Sequence, residues 1–166
     1  MTDAALDILK EAILLERRGR AFYKKVAAQA QNAAVREFFE TMVSEENLHM
    51  DILGAQLKSY RANQTFAPLD AGDTQGQPLP DLVLSHEVKQ QLATADFEAA
   101  AISAAMLLEE RAVKLYGDRA ATTDDDQEKA LYQWLSDWEK GHLSFLADLD
   151  KELKDAIWDD NQFWPF

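Results

Sequence analysis

Three histidines occur in the 166 residues, and two of them follow a glutamate by three positions: Glu46-Asn47-Leu48-His49 and Glu139-Lys140-Gly141-His142. On a helix, positions i and i+3 share a face, so each pair aims a carboxylate and an imidazole the same way. Glu16 and Glu109 stand at matched distances from the same two places in the chain. Glu16 lies 15 residues before Gln31 and Glu46 lies 15 after it; Glu109 lies 15 before Asp124 and Glu139 lies 15 after it. If the chain reverses near 31 and near 124, equal distances become equal heights, and six side chains meet at one level. Their neighbours on the same faces are apolar: Ala12, Leu15, Tyr23 and Val26 beside Glu16, Phe39, Met42 and Leu53 around the first motif, Leu135, Leu146 and Leu149 around the second. Four carboxylates in an apolar interior are prohibitively costly without cations. Arg17, Arg18 and Arg20 fall mostly on other faces, so metal ions are the simpler answer. Two divalent ions balance four carboxylates. Oxygen and imidazole donors suit iron, or else manganese, better than a thiolate-seeking metal, with zinc a further possibility.

The elements that must position these groups are helices. Pro68, Pro78, Pro80 and Pro165 are the only prolines, which leaves residues 1–67 and 81–164 free of the strongest helix breaker. Both stretches are rich in Ala, Leu, Glu, Lys and Gln, and neither shows strand alternation or hairpin-turn dipeptides. The spacing predicts helices over about 3–30, 33–61, 94–121 and 125–155, with Asn32 capping the second and Thr123 the fourth. Residues 63–81, with three prolines and two glycines, read as one long connection, and a short helix at 85–91 can lie inside the crossover to the third helix. The halves repeat at a fixed offset of 93: Leu14-Leu15-Glu16 on Leu107-Leu108-Glu109, Arg18 on Arg111, Tyr23 on Tyr116, Glu46 on Glu139, His49 on His142. Two such repeats suit two helical hairpins in one all-α four-helix bundle. Residues 1–156 then form the bundle. Residues 157–166 form a tail whose Trp158, Phe163, Trp164 and Phe166 should pack on the bundle or across a dimer.

Composition narrows the function classes. Seventeen basic against thirty acidic residues give a net charge of −13, which disfavours nucleic acid and anionic membrane as partners. No cysteine is present, which removes disulfides, thiolate nucleophiles and iron–sulfur clusters. The N-terminal residues carry no basic region before an apolar stretch, and the longest apolar stretch, 99–108, is too short to span a bilayer. A cytoplasmic protein is the expectation.

One glutamate from each of two helices plus Glu-x-x-His from the other two is the arrangement of ferritin-like di-iron bundles. The chain resembles that superfamily, and within it the rubrerythrin family, over roughly 5–152. The run Leu15-Glu16-Arg17-Arg18-Gly19-Arg20-Ala21-Phe22-Tyr23 is similar to the family's first-helix motif. The resemblance implies that Glu46 and Glu139 bridge two metals, that Glu16 and His49 complete one site, and that Glu109 and His142 complete the other. It implies reduction of hydrogen peroxide or dioxygen. It also implies that Tyr23 and Tyr116 hydrogen-bond to ligand carboxylates or donate an electron in a stray oxidation; the plainer alternative is buried tyrosines with satisfied hydroxyls.

There are departures. Full rubrerythrins carry a cysteine-bound rubredoxin iron that feeds the di-iron site, so here the electrons must come from an external donor such as a rubredoxin-like protein. The family's additional glutamate three residues after the third-helix ligand is Ala112. The haem-ligating methionine of bacterioferritins is Asn47, which argues against haem. Gly19 and Ala112, each one turn past a ligand, leave a small cavity or, preferably, allow close helix packing. Trp134 and Trp138 read as core and His86 as solvent-facing.

The reading is a di-iron oxidoreductase, expected as a homodimer. Its alternatives are ferritin-like Fe(II) oxidation and storage, and a non-catalytic metal-binding bundle.

Overall fold

A computed structural model describes residues 3–70 and 96–159, with side chains through 155. Among these residues the chain is all-α: α1 spans Ala4–Gln29, α2 Ala33–Asn63, α3 Asp96–Thr122 and α4 Asp126–Asp159. The architecture is a ferritin-like four-helix bundle of two antiparallel hairpins, α1–α2 and α3–α4.

Side chains close the helix starts. Asp3 accepts from the Leu6 amide at 3.3 Å, and Asn32 accepts from the amides of Ala34 and Val35 at 2.9 and 3.3 Å. Each satisfies amides that the first turn cannot pair. The cap of α4 is Asp125 rather than Thr123: its carboxylate accepts from Gln127 and Glu128 at 2.9 and 2.8 Å. A carboxylate here outcompetes a hydroxyl because it also meets the positive end of the helix dipole. Thr123 instead donates its hydroxyl to Glu128. α2 continues to Asn63 and stops at Gln64, whose left-handed φ of 57° ends the helix. α4 passes its expected end near 155, since neither proline nor glycine interrupts 142–164.

Two apolar clusters fill the bundle, one toward each end. One gathers Tyr23, Val26, Phe38, Phe39, Ile102 and Leu146; the other gathers Leu9, Leu53, Tyr116, Leu131, Tyr132 and Leu135. Phe38 and Phe145 stack at 4.8 Å between α2 and α4. Charged groups tie the ends. Arg119 donates twice to Glu128 at 2.7 Å, joining α3 to α4 in a fork. The buried Glu98 of α3 accepts from the Gln31 amide at 3.0 Å, joining the hairpins. α1 and α3 touch each other much less than the helices within a hairpin do. That sparse seam runs over the acidic level of the bundle.

The proposed short helix at 85–91, His86, the side chains of Trp158, Phe163, Trp164 and Phe166, and residues 160–166 of the tail assigned to 157–166 lie outside the described residues; the backbone of 157–159 belongs to α4. No described helix is long and apolar enough to cross a membrane.

Candidate metal centre

The six groups singled out by spacing come together between the two apolar clusters. Glu16, Glu46, His49, Glu109, Glu139 and His142 are all at most 3% exposed. They fall into two overlapping groups: Glu16, Glu46, His49 and Glu139, and Glu46, Glu109, Glu139 and His142. Within each group the donor atoms lie within 4.8 Å of one another. Glu46 and Glu139 belong to both. The His49 Nδ1 is 3.1 Å from Glu16 Oε2 and 2.9 Å from Glu139 Oε1. The His142 Nδ1 is 3.1 Å from Glu139 Oε2 and 3.8 Å from Glu109 Oε2. The two imidazoles face each other 6.2 Å apart, on the α2–α4 side.

Burial and crowding of like charge set the protonation of this cluster. Burial, then the neighbouring Glu16 carboxylate, pushes Glu46 well above the usual carboxylate range. Burial and Glu139 push Glu109 up to about 8. Burial opposes charging of His49, but the Glu139 and Glu16 carboxylates outweigh it and raise the imidazole well above its ordinary value. His142 rises against burial to about 10, because the neighbouring Glu109 carboxylate and Glu139, which accepts from its Nδ1, stabilise its charge. Glu139 alone goes down: burial would raise it, and His49, Glu109 and His142 together hold it well below its usual range. Protons thus stand in for cations here. Four oxygen-donor side chains and two imidazoles, gathered where charge is costly, fit a pair of metal ions.

Both tyrosines reach the cluster, each from one hairpin to the other. Tyr23 of α1 donates to Glu109 of α3, and Tyr116 of α3 donates to Glu16 of α1. Burial, and then the carboxylate each one meets, raises both phenols well above their ordinary value, so they stay protonated donors.

Between α1 and α3 a cavity of about 10 Å³ is lined by Leu15, Glu16, Gly19, Leu108, Glu109 and Ala112, with Glu46 and Glu139 behind them. That is room for about one water molecule. A Cβ on Gly19 would meet the Glu46 carboxylate at 3.5–3.7 Å. That is an ordinary contact, so Gly19 faces the Glu46 carboxylate and the cavity, where close packing of helix against helix was expected. Trp134 and Trp138 are only partly buried. They lie edge-on to His49, with centroids at 5.7 and 6.0 Å, and cover the imidazole side; Trp134 also packs against the apolar cluster of Leu131 and Leu135.

Glu45 was not anticipated. It is 5% exposed, and its Oε2 has no hydrogen-bond partner among the described residues. That oxygen lies 4.0 Å from the His142 Nε2, which is also without one. Burial raises its carboxyl, and His142 and His49 partly offset this. The signal was available: Glu45 precedes His49 by four, one helical turn on the same face.

Six such donors at the centre of four antiparallel helices define a ferritin-like carboxylate–histidine metal protein. The Rubrerythrin family model matches residues 7–150, and the chain belongs to that family, one of di-iron proteins. No curated protein and no solved structure matches the chain.

Proposed function

We propose that this protein is a di-iron oxidoreductase that reduces hydrogen peroxide, or dioxygen, with electrons from an external carrier. The observation that carries the reading is the pair of overlapping four-residue groups sharing Glu46 and Glu139, opening onto a cavity of about 10 Å³. Glu16, Glu46, His49, Glu109, Glu139 and His142 would hold the irons, which when bound supply two electrons and Lewis acidity. The balance is one peroxide, two electrons and two protons giving two waters.

The chain's own residues account for selectivity and order. Leu15 and Leu108 flank the space between α1 and α3, which holds about one water, so a small oxidant is favoured over a bulky one. Tyr23 and Tyr116 pin the outer carboxylates, Glu109 and Glu16, through hydrogen bonds that cross the seam. Trp134 and Trp138 shield the imidazole side from water.

The test is anaerobic loading with Fe(II) followed by stopped-flow mixing with peroxide. The near-ultraviolet absorbance of oxidised iron should develop with one peroxide consumed for about two irons. Loaded protein that fails to oxidise with either peroxide or dioxygen would leave a structural metal clamp as the better description.

A further inference from the structure

The surface charge of α1 departs from that of the rest of the chain. Residues 17–36 contain six basic side chains and no acidic one, in a protein whose net charge is −13. The segment that repeats it, 110–129, contains four basic and six acidic side chains. The cationic run is therefore not something the repeat requires. Arg17, Arg18, Lys24 and Lys25 are exposed and Arg20 is half-buried. Arg17, Arg20 and Lys24 follow helical spacing, so they make one stripe along α1.

This stripe borders an open groove of about 660 Å³ between α1 and α2, lined by Arg20, Lys24, Val43 and Asn47, by alanines of α1, and by a single acid, Glu40. Arg20 Nη1 donates to Asn47 Oδ1 at 3.0 Å across it. Asn47 directly follows the donor Glu46, and Arg20 lies one helical turn past the donor Glu16, so both walls of the groove adjoin the metal centre. The 166 residues hold no cysteine and hence no cysteine-bound iron centre to feed that site.

We infer that the α1–α2 groove is the docking surface for an acidic one-electron carrier protein. The inference rests on the proposed redox function. Two carriers dock in turn, each oxidised by one electron, and the two electrons with two solvent protons reduce one peroxide to two waters. Charge steers the encounter. A small groove with a cationic border suits the brief, small contacts of redox partners. A second copy of this chain fits poorly, because a two-fold contact would set this stripe against itself. Nucleic acid fits poorly because the remaining surface is strongly negative.

Two acidic carriers serve as probes, a flavodoxin and a rubredoxin. The full chain, zinc-loaded and ¹⁵N-labelled, is titrated with oxidised flavodoxin or zinc-substituted rubredoxin. Amide shifts should cluster on 17–28 and 40–47, weaken with salt, and vanish in Arg17→Glu/Arg20→Glu/Lys24→Glu. Arg17→Glu/Lys24→Glu, which keeps the Arg20–Asn47 bond, should lose most of them. Arg111→Glu/Lys114→Glu on the other hairpin should keep them. In peroxide turnover of iron-loaded protein, the triple variant should oxidise reduced carrier at least about tenfold more slowly at low salt. Reduction by dithionite should be unaffected.

Shifts mapping elsewhere for both carriers, an equal loss in the α3 control, a dimer that the triple variant dissociates, or duplex DNA displacing the carriers would each overturn the docking site. If the carriers map to the groove but dithionite-reduced protein is inert to peroxide, the function falls and the docking surface stands.

Discussion

The two hairpins match where they face each other and differ where they face outward. Glu16, Tyr23, Glu46 and His49 have the same residue types 93 positions later. Each tyrosine bonds the other hairpin's glutamate, so the match extends to geometry. Outward, 17–36 is cationic and 110–129 is mixed. Between these lies a third class of position, touching the centre but not repeated. Glu45 and Trp138 occupy equivalent places; the first sits beside His142 and the second lies edge-on to His49. Gly19 and Ala112 are another such pair, and Trp134, also edge-on to His49, corresponds to Thr41. The comparison teaches that the buried donors and the tyrosines that bond them are matched between the hairpins, whereas the residues that cover and border them differ.

The largest effect should come from the residues that both groups share. Glu46→Ala or Glu139→Ala removes a donor from both at once, so iron should fall from about two per chain to below one, and the peroxide reaction by at least about a hundredfold. Glu16→Ala or Glu109→Ala removes one donor from one group, so roughly one ion should remain. Metal analysis after gel filtration measures this. If Glu139→Ala kept an ion that Glu46→Ala lost, the hairpins would not be equivalent at the centre.

A smaller effect separates the protons of the metal-free protein. Glu109 at about 8 and His142 at about 10, both in the second hairpin, stand above their free values. A raised group stabilises the fold below its unfolded pKa and loses that contribution as pH climbs through its folded one. The thermal midpoint of metal-free protein should therefore fall as pH rises through 8 toward 10. Metal must displace the same protons, so apparent affinity should rise with pH over that window. A metal-free midpoint that stays flat or rises from pH 7 to 10 would show that these two groups are not protonated in the fold.

What could be read before any coordinates were those features with a period. Proline-free stretches and apolar spacing located the helices, and counting from the turns placed six donors at one height. Asn32 was legible as a cap because its side chain has one local job. Thr123 was not, because three aspartates follow it and only the geometry chooses among them. Glu45 and the cover by Trp134 and Trp138 depend on how α4 is rotated against α2, which a helical period leaves free. The narrow opening at the α1–α3 seam is likewise a matter of how closely two hairpins approach.

The smallest effect asks whether that seam is the oxidant's approach, using the one difference between the hairpins inside it. Alanine at 19 would place its methyl 3.5–3.7 Å from the Glu46 carboxylate, an ordinary contact that needs no rearrangement. Within a long helix the substitution should stabilise by about 0.5–1 kcal/mol, because glycine is the poorer helix former. The added methyl also occupies part of a space that holds about one water. Gly19→Ala should thus raise the thermal midpoint while slowing the second-order reaction with peroxide several-fold. Ala112→Gly, on the facing wall, should lower the midpoint by a similar amount and leave the reaction as fast or faster. Stability and reactivity then move in opposite directions at both positions, which simple damage to the bundle would not produce. A Gly19→Ala protein that is more stable and reacts at the original rate would place the oxidant's approach elsewhere than between α1 and α3.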